Sequence, residues 1–176
     1  MRAVVAYESL FGNTRQVAEA IGDGLRTGCQ VDVVPTDKVS PEAAREADLL
    51  VVGGPTQAFR ASSRKTRESA IRSEKPEATA NATSAEFGAR ELIGSLPPGE
   101  GRRRAATFDT RMDKPRIITG AASKSLGRLL ERAGYRLVVP PESFLVGEYR
   151  GPLVAGELAR ARDWGARLAS LAVPTA

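Results

Sequence analysis

A doubly wound α/β fold, built on a five-stranded parallel sheet in the order 2-1-3-4-5, is predicted by three features of the chain. Apolar runs of strand length alternate with stretches of helical spacing along the whole sequence. Those strand runs are almost continuously apolar rather than alternating, the pattern of strands covered by helices on both faces. The 176 residues, 41% of them hydrophobic, suffice for one domain spanning 1–176 with a sizeable core, but not for two. Right-handed crossovers leave few strand orders, and 2-1-3-4-5 places a ligand crevice outside the carboxyl ends of the first and third strands.

The elements follow in order. "RAVVAY" is the first strand, and a helix with Val17, Ile21 and Leu25 on one stripe follows it. "VDVVP" is the second strand, and Ser40-Pro41 caps and opens a short second helix. "DLLVVGG" is the third. After it comes a polar, basic insertion at about 60–83, where Arg60, Arg64, Lys65, Arg67, Arg72 and Lys75 outnumber Glu68 and Glu74. Loops of this length are commonly lids or mobile segments, and "TRESAIR" within it has the makings of a brief helix. Ser84 is placed to cap a third helix containing Ala85, Ala89, Leu92, Ile93 and Leu96. "AATF" is the fourth strand, Leu126, Leu129, Leu130 and Ala133 mark the fourth helix, and "YRLVV" is the fifth strand. Leu158, Ala161, Gly165 and Leu168 stripe the last helix.

Composition narrows the chemistry. The chain has no histidine and a single cysteine, Cys29. That excludes a Ser-His-Asp triad, a Cys-His pair, an HExxH zinc site and an internal disulfide, so any catalysis belongs to a cofactor. No apolar run approaches the roughly 20 residues of a membrane span, and the expected location is cytoplasmic. A net charge of +5 suits acidic partners. Nucleic acid is disfavoured, because aromatics are only 5% of the chain and no basic helix offers base-reading side chains.

Two loops leave the strand ends that flank the crevice, "ESLFGNT" after the first and "GGPTQAF" after the third, and "DTRMDK" after the fourth opens on the same side. The Gly12-Asn13-Thr14 run sets backbone N–H groups and hydroxyls at the start of a helix, where anions are favoured. The loop lacks the lysine of a GxxxxGK[ST] nucleotide loop. A monophosphate therefore suits it better than a triphosphate with Mg²⁺.

"YESLFGNTRQVAEAI" followed by "DLLVVGGPTQAF" resembles the phosphate loop and ring loop of flavodoxin-like proteins, and the later "FDTRMDKP…GAASKSLGRLLERAGYRLVVPPESFLV" resembles single-domain members common in actinobacteria. The resemblance implies FMN as cofactor. It assigns the phosphate to Ser9, Leu10, Phe11, Gly12, Asn13 and Thr14, with Phe11 departing from the family's usual threonine. Pro55, Thr56, Gln57 and Ala58 fall at the ring edge, Ala58 supplying a carbonyl near the flavin N5 hydrogen. Phe59 falls either against the ring or under the insertion. Asp109, Thr110 and Arg111 fall at the pyrimidine end. A tyrosine that many family members stack at this last loop is missing, and Tyr149, after the last strand, reads first as a surface residue.

The resulting expectation is an FMN-binding electron carrier that meets an acidic redox partner through the basic insertion. Two alternatives stay open on the sequence: a flavodoxin-fold quinone reductase or protoporphyrinogen-type oxidase, and a flavin-free module that holds some other anion on the same fold.

Overall fold

The computed structural model describes residues 1–57, 60–79 and 82–172. Its strands are β1 (Arg2–Tyr7), β2 (Gln30–Pro35), β3 (Leu49–Gln57), β4 (Arg60–Ala61), β5 (Arg104–Met112), β6 (Arg136–Leu137) and β7 (Glu142–Val146). Its helices are α1 (Asn13–Leu25), α2 (Pro41–Glu46), α3 (Arg64–Ser73), α4 (Ala89–Ser95), α5 (Arg116–Thr119), α6 (Ala122–Arg132) and α7 (Glu157–Ala172). The sheet runs β2-β1-β3-β5-β6, with β7 also on β5 and β4 turned back antiparallel on β3. Apart from that hairpin the pairings are parallel. This is the expected doubly wound order.

Adjacent residues of a strand enter opposite cores, which explains the unbroken apolar runs. Val5 and Val51 pack with Val17, Ile21 and Leu25 of α1 and Ala161, Trp164 and Leu168 of α7. Their neighbours Val4 and Leu50 pack with Ala89 and Ile93 of α4 and Ala122, Leu126 and Leu130 of α6. Each fully buried aliphatic side chain is worth about 1.5–3 kcal/mol, so both sheet faces are committed to helices. Leu158 departs from the expected stripe of the last helix and is 43% exposed; Trp164 takes the core position in its place.

Three boundaries differ from the sequence reading. The fifth strand is broken: "YRLVV" contributes only Arg136–Leu137, and the longer pairing is made by Glu142–Val146. Pro140 and Pro141 lack the N–H groups a central ladder needs, and the register along β5 shifts by two residues across them, from Arg104↔Arg136 to Phe108↔Glu142. The third predicted helix begins at Ala89 rather than after Ser84, because the carboxylates of Glu8 and Glu91 take the N–H groups of Ala89 and Gly88. The brief helix in the insertion is the ten-residue α3, opened by a reciprocal Ser63–Thr66 capping box. Among the described residues no helix is long and apolar enough to cross a membrane.

Candidate functional site

At the carboxyl end of β1 the chain turns through Glu8–Gly12 into α1. Gly12 holds φ at +89° with nothing within 4 Å of where a Cβ would stand, so glycine is needed here for the left-handed backbone alone. The Ser9 hydroxyl is buried and accepts the N–H groups of Gly12 (3.1 Å) and Arg15 (3.4 Å). Its own proton is left to donate. The Thr14 hydroxyl pairs with that of Thr110 at 2.7 Å. Asn13 Nδ2 donates to the Arg150 carbonyl at 2.9 Å, tying this loop to the one after β7. Among the described residues, the N–H groups of Leu10, Phe11, Asn13 and Thr14 meet no protein acceptor. The result is a donor-rich helix N-terminus.

The segment between β3 and α4 packs over this loop. Thr83 brackets Ser9 by receiving its N–H on Oγ1 (3.1 Å) and donating its own N–H to the Ser9 carbonyl (2.8 Å). Arg67, 3% exposed, donates to Ser62 Oγ (3.0 Å), the Ala85 carbonyl (2.8 Å) and Glu91 (2.9 Å), and its guanidinium lies 3.6 Å from the buried Glu8. Ser62 in turn donates to Glu8. Burial pushes the Glu8 carboxyl above its usual range, against the opposing pull of Ser62, the Ala89 N–H and Arg67. Arg67 is thus an internal pin, and it is not available to a partner as the sequence reading supposed.

These loops enclose a cavity of about 540 Å³. Its wall is formed by Leu10, Phe11, Asn13 and Thr14 of the β1–α1 loop and by Pro55, Thr56, Gln57, Thr110 and Arg111 at the ends of β3 and β5, the two groups meeting at the Thr14–Thr110 hydroxyl pair. Helix α3 lays Lys65, Thr66, Ser69, Ala70 and Ser73 along a side, and Met112, Ile118, Thr119, Val146 and Tyr149 complete it. Among the described residues its charged lining is Lys65 and Arg111, with no carboxylate. Two buried polar atoms on this lining, Gln57 Oε1 and Arg111 Nε, have no hydrogen-bond partner among the described residues. Arg111 spends its Nη1 on the carbonyls of Met112 (3.2 Å) and Lys114 (2.6 Å) and on Thr119 Oγ1 (3.4 Å). Residues 5–89 match the flavodoxin family model. The fold is flavodoxin-like.

Solved structures agree with that fold. An archaeal flavodoxin superposes with a TM-score of 0.65 at 20% identity, covering 98% of this chain and 99% of its own. A flavodoxin from Streptococcus pneumoniae TIGR4 gives 0.62 at 17% identity over 97% and 99%. The two-electron-reduced flavodoxin of Megasphaera elsdenii gives 0.58 at 14% over 94% and 98%. A search of curated proteins found no match.

The flavodoxin-like frame brings together residues far apart in sequence, though not all those expected. Leu10, Phe11, Asn13, Thr14, Pro55, Thr56, Gln57, Thr110 and Arg111 lie on the cavity wall. Ser9 and Gly12 shape the loop beneath it. Thr56 also accepts the Ala122 N–H at 2.8 Å. Asp109 points elsewhere: it is fully buried, accepts the Ser123 N–H at 2.7 Å at the start of α6, and burial raises its pKa. Gly53 makes room for Phe108, whose ring would lie 2.1 Å from an added Cβ, rather than for a ligand. Ala58 and Phe59 lie outside the described residues.

Two further elements complete the wall. Tyr149 is 52% exposed, as expected of a surface residue, and it also borders the cavity edge-on to Phe11, ring centroids 5.4 Å apart. The wall of α3 was visible in principle, since Thr66, Ser69, Ala70 and Ser73 recur at helical spacing.

Proposed function

We propose that this flavodoxin-like chain binds FMN in the cavity and passes electrons between an acidic redox partner and an acceptor. The observation that carries the reading is the cavity's pairing of two polar groups. A helix N-terminus with N–H donors and two hydroxyl groups lies on the first loop, and Gln57 Oε1 and Arg111 Nε, without partners among the described residues, lie at the ends of β3 and β5. A phosphate suits the first and the polar edge of a flavin ring the second. Bound flavin would supply the electron-transfer chemistry. The chain's own residues would bind the phosphate, hold the ring and exclude water; Phe11 and Tyr149 offer aromatic surface in place of the missing tyrosine.

Titration of the purified protein with FMN and with riboflavin, followed by visible absorbance and flavin fluorescence, tests the reading. FMN is expected to bind stoichiometrically and riboflavin much more weakly, because charge-assisted hydrogen bonds are worth roughly 1.5–3 kcal/mol each. Thr14→Ala should weaken FMN about tenfold or more and leave riboflavin nearly unchanged. A protein that stays colourless with added FMN would leave the flavin-free anion module as the better account. The hydroxyl face of α3 favours a second reading, FMN-dependent reduction of an organic acceptor such as a quinone, for which NAD(P)H-driven turnover is the discriminating assay.

A further inference from the structure

Within the 60–83 segment Arg67 is buried, and Arg64 pairs with Glu68 at 2.7 Å on the surface. A second set of cations, which shares Arg60 with that segment, clusters in one cleft. Arg60 at the β4 turn, Arg90 on α4, and Lys124, Arg128 and Arg132 on α6 line a cleft of about 380 Å³ on the α4/α6 face of the sheet. All five are exposed, and among the described residues none meets a carboxylate. Lys124, Arg128 and Arg132 recur every fourth residue, so they form one stripe about 12 Å long. Ladder-like bonds join this cleft to the cavity: the Ala122 N–H at the head of α6 meets Thr56 of the ring loop, and Ala61 N–H meets Ser125 Oγ at 3.0 Å.

We propose that the α4/α6 cleft, rather than the 60–83 segment as a whole, is the docking surface for an acidic protein partner, an inference that rests on the electron-transfer reading above. A row of exposed cations, none meeting a carboxylate among the described residues, complements a carboxylate-bearing protein face. Nucleic acid fits it less well, because no aromatic side chain lines the cleft for base stacking. A small phosphate ligand fits less well too, because no buried polar group lines it. A partner seated there lies against the back of the ring loop, which places it beside the cavity without blocking the mouth.

The test measures docking on flavin-free protein. The probes are the acidic cytochrome b5, the basic cytochrome c, a duplex DNA and inorganic tripolyphosphate. Cytochrome b5 is expected to bind, and its affinity to fall about tenfold or more between about 50 and about 300 mM salt. The triple variant K124E/R128E/R132E should lose roughly tenfold or more of that affinity. The charge-matched control R26E/R162E/R167E, on the α1/α7 side, should stay within about twofold. Absence of cytochrome b5 binding, equal losses in the two triple variants, or tighter binding of cytochrome c, DNA or tripolyphosphate would each overturn the proposal. FMN titration of the same proteins keeps the readings apart: FMN binding without docking removes only this inference, and docking without FMN binding removes the electron-transfer reading.

Discussion

The β1–α1 loop and the segment between β3 and α4 wall the same cavity but are held by different means. The loop is a backbone device. One left-handed glycine and one buried serine hydroxyl fix it, and its functional groups are N–H donors. The segment is a side-chain device, in which α3 is fastened by a single buried cation reaching Glu8, Ser62, Glu91 and the Ala85 carbonyl. Backbone devices follow local sequence and are legible in it. Side-chain devices depend on which distant carboxylate a cation meets, and the same arginine reads as docking charge or as a core pin until that partner is known.

The largest expected effect comes from breaking the second device. Arg67→Ala leaves Glu8 buried beside its remaining hydrogen-bond donors, with no compensating charge within the network. Removing one member of a buried ion pair costs about 3–5 kcal/mol, and urea denaturation should report a loss of that order. Hydrogen exchange should show the α3 amides losing protection well before those of β1 and β3. A loss below about 1 kcal/mol would mean that α3 is held by its packing rather than by its arginine.

A smaller effect sharpens the same comparison through pH. Burial raises the Glu8 pKa above its ordinary 4.5, and it raises Asp109 in the same direction. A raised carboxyl means that the folded chain holds its proton more tightly than the unfolded chain. Stability should therefore fall as pH rises from the ordinary carboxylate range through the folded pKa, and level off above it. Each group contributes at most about 1.4 kcal/mol per pH unit. Glu8→Gln and Asp109→Asn should each flatten the falling slope in part, both read from denaturation midpoints across pH. A wild-type stability that climbs with pH over that window would contradict the burial-dominated direction.

How much of this was legible follows from range. The sheet order, the cores and the turn at Gly12 come from local periodicity and glycine placement, and these were readable. The cap of α4 was not, because the carboxylate that meets Ala89 N–H stands 81 residues earlier, at Glu8. The fifth strand was misplaced by reading apolar content before proline chemistry: "VVPP" looks like strand but lacks two ladder donors. Tyr149 is at the surface as expected; its edge contact with Phe11 was not readable, since it depends on where that strand ends. The cations on α6 were in plain view at every fourth position, yet only the fold sets Arg60 and Arg90 beside them in one cleft.

The smallest expected effect concerns Arg111, where backbone and side-chain devices meet. Its Nη1 is anchored to its own loop, while among the described residues its buried Nε has no partner and no carboxylate lines the cavity wall to offset it. If FMN occupies the cavity, a fixed positive charge near the ring favours the fully reduced, anionic flavin over the neutral forms. A unit charge several ångströms away in a medium of effective dielectric near 20 interacts by roughly 2 kcal/mol before solvent screening, which leaves tens of millivolts after it. Arg111→Gln is expected to lower the second one-electron potential by that amount and barely alter the first. Arg111→Lys separates charge from anchoring, since lysine keeps the former and loses most of the latter. Spectroelectrochemical titration of the three proteins decides the matter: a shift in Gln alone assigns it to charge, equal shifts in Gln and Lys assign it to the loop, and no shift in either removes Arg111 from redox tuning.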